Sequence, residues 1–264
     1  MALEGRSAVI IGGSGGIGME MCKHLLSNGL SKLAILDINE LFQEIESDIK
    51  RCNASADVVS IKCDIANKSN LSDVICNQVY TKFGYIDLLV KSVAILDERN
   101  PNRMIAINLT GVINSSLLAL KLMSKEYSGG RGGTIVNVSS IAGLEPSWMC
   151  VYAASKFGVT GFSRSLADTQ IYNRTGVKCI TICPGKTDTG LLKQFHDKEN
   201  SLFSRKESKP TDYDSQSPSV VAECLLKAVL DGENGSVWIA NGGKTYKLEL
   251  PENQFLNLIA GKQT

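Results

Sequence analysis

Histidine is nearly missing from this chain of 264 residues, which has 2 of them, along with 2 Trp and 6 Pro. His24 and His196 stand far apart, and none of the 8 cysteines forms a Cys-x-x-Cys pair, so no metal centre is expected. Net charge is also lacking: 28 Lys and Arg against 27 Asp and Glu leave +1, spread without blocks. That balance argues against the basic footprint of a nucleic-acid or anionic-membrane binder. No unbroken apolar run approaches the roughly 18 residues of a membrane span, and the opening MALEGRSAVIIGG sets Glu4 and Arg6 before a short apolar stretch, unlike a secretory leader. The expectation is a cytoplasmic protein with no membrane partner. In that setting the irregularly spaced cysteines are expected to be reduced, most of them small core residues. Triplets such as Asn108-Leu109-Thr110 carry no glycan there.

What the chain does have is an alternation of short β-branched runs with longer amphipathic stretches. SAVIIGG precedes 16–28, LAILD precedes 40–52, VVSIKCD precedes 69–82, IDLLV precedes 101–127 and TIVNVSS precedes 148–172; VKCITICPG and SVWIA follow. Continuous Val, Ile and Leu, instead of strict alternation, predict strands covered on both faces. The expected class is α/β: a single-domain, Rossmann-type doubly wound parallel sheet of about seven strands with helices on both faces. One domain is expected over 1–264, with its dinucleotide-binding half at about 1–130 and its catalytic and substrate part at about 131–264. Residues 197–218, polar and poor in aliphatics, read either as a lid within 189–218 or as a surface excursion.

The first strand runs into IIGGSGGIGM, whose glycines permit a tight turn, close backbone approach to a pyrophosphate and close packing of a helix whose amino end favours anions. About twenty residues on, Asp37 ends LAILD, as a dinucleotide fingerprint requires. Its carboxylate would accept hydrogen bonds from both ribose hydroxyls and repel a 2′-phosphate, favouring NAD over NADP. A plain turn or helix cap is the alternative for Asp37. The same glycines fit the Gly-x-Ser-x-Gly elbow of α/β-hydrolases around Ser14, but only about ten residues precede it, too few for the strands an elbow stands on.

VYAASKFGV sets Tyr152 and Lys156 four positions apart, on one face of a helix. A base that takes a proton from an alcohol must titrate near neutrality, whereas free Tyr titrates near 10. An ammonium at about 4 Å, in an effective dielectric near 20, attracts a phenolate by about 4 kcal/mol, up to about three pKa units. Lys156 is therefore expected to lower the phenol of Tyr152.

With CDI (Cys63 to Ile65), INLTG (Ile107 to Gly111), NVSSIAG (Asn137 to Gly143), YAASK and CPGKTDT (Cys183 to Thr189), the sequence resembles the short-chain dehydrogenase/reductase family over nearly its whole length. Within it the chain is most similar to insect-type alcohol dehydrogenases and 15-hydroxyprostaglandin dehydrogenase. The resemblance implies an NAD-dependent oxidoreductase that interconverts an apolar secondary alcohol and its ketone by hydride transfer. Tyr152 would be the acid/base, Lys156 would tune it and hold the ribose, Ser140 would hydrogen-bond the substrate oxygen, and Asn108 would hold a water relaying protons past Lys156. Gly12, Gly16, Ile17, Gly18 and Asp37 would bind the cofactor, Asp64 and Ile65 would flank its adenine, and Pro184, Gly185, Thr187 and Thr189 would surround the nicotinamide amide. A homodimer or homotetramer through the helices at 101–127 and 148–172 is also implied.

Two departures stand out. Lys91, Ser92, Val93 and Ala94 replace the family's Asn-Asn-Ala-Gly after the fourth strand, adding bulk near the cofactor and a cation that either snorkels outward or meets a phosphate. The segment from Ser140 to Tyr152 is one residue short, which makes Ser139 the alternative to Ser140. The changes at 91–94 license a second function, a non-catalytic relative serving in binding or storage. Leu144, Trp148, Met149 and Cys150 form an apolar mouth before Tyr152.

Overall fold

The structure, a computed structural model, describes residues 2–39, 43–126, 130–192 and 215–249. Most of the polar segment 197–218 lies outside the described residues. Eight strands form one sheet in the order β3-β2-β1-β4-β5-β6-β7-β8. They are β1 Ser7–Ile11, β2 Lys32–Asp37, β3 Asp57–Lys62, β4 Leu88–Lys91, β5 Gly133–Val138, β6 Val177–Pro184, β7 Val237–Asn241 and β8 Lys244–Leu248. The first seven are the runs read from the sequence, and every pairing among them is parallel. The reversal of direction of growth on either side of β1 is the switch point at which such sheets bind ligands, beyond the carboxyl ends of β1 and β4.

Between the strands run α1 Gly16–Ser27, α2 Gln43–Arg51, and α3 Lys68–Ser72, which continues through a wider π-type stretch Asp73–Tyr80 to Thr81–Phe83. Next come α4 Pro101–Met123, with a π-type stretch at Ala106–Gly111, then α5 Cys150–Leu166, α6 Thr169–Thr175 and α7 Pro218–Asp231. Successive strand residues serve opposite layers. Ala8 and Ile10 pack with Leu25 of α1 and Leu225 of α7, while Val9 and Ile11 pack with Val74 of α3 and Ala119 and Met123 of α4. A two-sided core of this kind needs apolar residues at every strand position, which is why the strands read as continuous runs.

Three features depart from the sequence reading. β8, the eighth strand, pairs antiparallel with β7 through a turn at Gly242 and Gly243, whose φ values of 59° and 74° only glycine adopts without strain. Its alternating, lysine-bearing KTYKL has no continuous apolar run, because an edge strand keeps one face in water. Helix α7, which packs against α1, has no counterpart among the amphipathic stretches that the sequence pattern predicts. Helix α4, finally, is 23 residues long and contains an 18-residue window with a mean hydropathy of 1.5, enough by length and composition alone for a membrane span. Its apolar character is spread around Asn108, Ser115 and Ser116, which face the core, so a search for unbroken runs passes over it.

Candidate active site

The carboxyl end of β5 carries two adjacent serines with different fates. Ser139 is buried; its hydroxyl donates to the Lys156 carbonyl at 2.9 Å and lies 2.9 Å from Thr160 Oγ1, so it ties the strand to α5. Ser140, one residue on, caps the short turn Ile141–Gly143 by accepting the Ala142 N–H, and its hydroxyl is near enough to the Tyr152 phenol to pull that pKa down. The hydroxyl beside the phenol therefore belongs to Ser140, despite the shortened segment.

Tyr152 sits in the first turn of α5, 7% exposed, among Leu96, Met104, Ala142 and Met149. Its backbone is gripped at both ends. The N–H donates to Glu98 Oε1 at 2.8 Å, next to Val151 N–H on Oε2 at 3.0 Å, while the carbonyl accepts from Ser155 Oγ at 2.7 Å. Helix α5 receives no side-chain cap from Met149 before it, so the buried Glu98, 2% exposed, satisfies its orphan N–H groups from the loop after β4. That loop is pinned by Asn108, whose amide accepts from Ile95 N and donates to Ile95 O, both at 2.9 Å. Both Nδ2 protons of Asn108 are engaged, with the Ile95 carbonyl and, at 3.4 Å, with Ser155 Oγ, while Oδ1 accepts one hydrogen bond, from Ile95 N–H.

Lys156 is buried and shares the face of Tyr152, with Nζ 5.6 Å from the phenol ring centroid and donating to the Val138 carbonyl at 3.0 Å. The pKa directions differ from expectation. Burial pushes Tyr152 up to about 12 against the opposing pull of the Ser140 hydrogen bond, and burial also pushes Lys156 down to about 8. An ammonium above the ring, anchored to a carbonyl, is not the close phenolate partner that the 4 Å argument assumed.

At the switch point, Gly12 has φ 83°, and a Cβ there would lie 2.6 Å from Val93 N. A Cβ on Gly18 would collide with the Gly12 carbonyl, and one on Gly16 would lie 3.0 Å from Thr189 Cγ2. The turn thus packs backbone to backbone against the tail of β4 and touches the loop after β6. Helix α1 starts at Gly16 without a side-chain cap or an acidic residue in its first turn, leaving its N–H groups available to an anion. Ile17 packs on the core behind this turn. Asp37 ends β2, with Oδ2 accepting Ser14 N–H and Oδ1 accepting Asn39 N–H, each at 3.1 Å. Asp64 accepts the Ala66 N–H after β3, and buried Ile65 packs on Gly111 of α4. The loop after Pro184 is held by Gly185 N–H to the Ala240 carbonyl at 2.8 Å and by Thr187 Oγ1 to the Gly185 carbonyl at 2.9 Å. Ser92 Oγ, just past the carboxyl end of β4, is buried without a hydrogen-bond partner among the described residues. An uncapped helix start beside a tightly packed glycine turn, with an orphaned hydroxyl at the end of β4, fits a bound dinucleotide.

Lys91 neither snorkels outward nor points to a phosphate. It is 1% exposed on the α4 side of the sheet, and Nζ donates to Ser116 Oγ at 3.0 Å. From there Ser116 meets Asn137 Oδ1 at 3.3 Å, and Asn137 Nδ2 donates to Ser163 Oγ at 2.8 Å. Burial pushes Lys91 down to about 7.

The chain matches the short chain dehydrogenase family over residues 6–200. It belongs to that family. This short-chain dehydrogenase is 39% identical over 251 residues to alcohol dehydrogenase 1 of Ceratitis capitata, an alignment covering 94% of this chain and 96% of that one. It is 38% identical over 250 residues to alcohol dehydrogenase 2 of Ceratitis cosyra, with the same coverage of 94% and 96%. It is also 35% identical over 245 residues to the alcohol dehydrogenase-related 31 kDa protein of Drosophila melanogaster, covering 91% and 88%. The solved structure of levodione reductase shares the fold, with a TM-score of 0.77 at 23% identity over 91% of this chain and 98% of that one. This short-chain dehydrogenase is accordingly an oxidoreductase of the nicotinamide-using type with a small-molecule substrate. Sequence reasoning missed Glu98, because nothing in AILDE distinguishes a buried cap from a surface acid, and Gln216, which sits in the polar stretch that reads as a lid or a surface excursion.

Proposed function

We propose that this short-chain dehydrogenase is an NAD-dependent alcohol dehydrogenase interconverting an apolar secondary alcohol and its ketone. The observation that carries the reading is that Tyr152 and Lys156 are buried on one face of α5, with the Ser140 hydroxyl acting on the phenol and an apolar cluster of Leu96, Met104, Ala142 and Met149 around it. NAD, when bound, supplies the hydride acceptor and a positive charge. Tyr152 takes the alcohol proton, Ser140 hydrogen-bonds the substrate oxygen, and Lys156 holds the ribose hydroxyls near the nicotinamide. Asn108, whose side chain pins the loop at Ile95, holds a water that relays protons past Lys156. Gly12, Gly16, Ile17 and Gly18 hold the pyrophosphate, Asp64 and Ile65 flank the adenine, and Pro184, Gly185, Thr187 and Thr189 hold the nicotinamide amide. The free lone pairs of Asp37 accept the ribose hydroxyls and its charge rejects a 2′-phosphate.

In this reading the enzyme works in the cytoplasm as one domain over 1–264. It pairs as a homodimer or homotetramer through α4 and α5, where Leu117 and Phe157 are 47% and 43% exposed. The test is NADH formation with a panel of secondary alcohols, wild type against Tyr152→Phe. Turnover lost in the variant supports the reading, and full turnover in it removes Tyr152 as the base. Wild type that neither binds NAD nor turns over any alcohol favours the non-catalytic alternative, in which the changes at 91–94 weaken cofactor binding.

A further inference from the structure

Gln216 lies where the chain returns from the polar segment, 6% exposed, with all of its polar groups engaged. Its backbone brackets Thr187, the N–H donating to Lys186 O and the carbonyl accepting Asp188 N–H, both at 2.9 Å. Its side-chain Nε2 donates to the Ala240 carbonyl at 2.6 Å and to Thr187 Oγ1 at 3.2 Å, while Oε1 accepts Gly243 N–H at 3.4 Å. Thr187 has one hydroxyl proton, and the Gly185 carbonyl takes it at 2.9 Å. One lone pair of that hydroxyl faces Gln216, and one remains.

We propose that Gln216 is a positioning residue for the cofactor, turning the Thr187 hydroxyl so that it meets the nicotinamide carboxamide only as an acceptor, for the amide –NH2. The proposal rests on the dinucleotide reading above. A hydroxyl free to rotate would serve a donor or an acceptor alike; one locked between Gln216 and Gly185 has a fixed polarity, and fixed polarity is what lets a hydrogen bond discriminate.

The test compares binding of NAD with that of ADP-ribose, which keeps the adenine, both phosphates and both riboses but lacks the nicotinamide. Affinities are measured by calorimetry for wild type, Gln216→Met, Thr187→Val and the double variant. Gln216→Met is expected to weaken NAD about fivefold to tenfold while leaving ADP-ribose within about twofold. Thr187→Val keeps the bond from Gln216 to Ala240 and is expected to give the same NAD-selective loss, with no further loss in the double variant. An unchanged ratio of NAD to ADP-ribose affinity in both single variants overturns the proposal, as do equal losses for both ligands or additive losses in the double variant. Should Gln216→Met not fold, Thr187→Val alone decides through the same ratio. Wild type that binds neither ligand overturns the dinucleotide reading and the proposal with it, whereas wild type that binds both with unchanged ratios overturns the proposal alone.

Discussion

The carboxylate of Glu98 accepts the backbone N–H of Tyr152 at 2.8 Å, so the helix that carries the phenol is capped from a loop more than fifty residues earlier in the chain. Glu98→Ala leaves two buried N–H groups without an acceptor, a loss of about 1–3 kcal/mol in urea unfolding, with kcat falling more than the substrate KM rises. Stability and kcat both unchanged would show that water replaces the carboxylate without consequence.

Adjacent serines are expected to separate cleanly. Ser140→Ala removes the hydroxyl that acts on Tyr152 and should lower kcat/KM about a hundredfold or more with little change in stability. Ser139→Ala breaks the tie between β5 and α5 and should cost about 1 kcal/mol of stability while leaving most of the activity. A reversed pattern in steady-state kinetics and unfolding would reassign the substrate hydroxyl to Ser139.

In the cofactor-free protein Tyr152 should titrate above free tyrosine, because burial pushes it up to about 12. The ultraviolet difference titration of wild type minus Tyr152→Phe isolates that phenol. A midpoint well below about 10 would mean that Lys156 reaches the phenolate after all. On the proposed function, adding NAD brings a positive charge to the site and should move the midpoint down.

Lys91 should make stability depend on pH. Its folded pKa, about 7, is below the ordinary lysine value of 10.5, so between those limits the unfolded chain binds more protons and stability rises with pH. The penalty is complete below about pH 7 and fades towards alkaline pH. Lys91→Met should therefore stabilise by a few kcal/mol near pH 6.5, with the gain shrinking by about pH 9. An equal gain at both pH values in urea unfolding would mean that Lys91 is not buried as a titrating amine.

The glycine turn after β1 is legible in the sequence because its requirements are local. A glycine at 12 with positive φ, an uncapped helix start at 16 and an acid at 37 are each written in a few neighbouring residues. Glu98 and Gln216 were not legible, since each acts on a partner that only the fold brings near. Lys91 shows the same limit: the replacement was visible, but its route was set by Ser116 on a helix 25 residues away. Asn108 was found through its motif, while the work of its side chain, holding Ile95, follows from a tertiary contact that no motif records.

The hairpin at Gly242 and Gly243 has one more implication. Residues 6–200 match the family, and β8 comes after them; it occupies the hydrogen-bonding edge of β7 with a strand carrying Lys244 and Lys247. A chain cut after Gly243 would leave Val237 to Asn241 with an open row of amides and carbonyls, a template on which any stray strand can dock. The short lysine-bearing strand thus serves as a gatekeeper that ends the sheet, and truncation there should be read out first as aggregation.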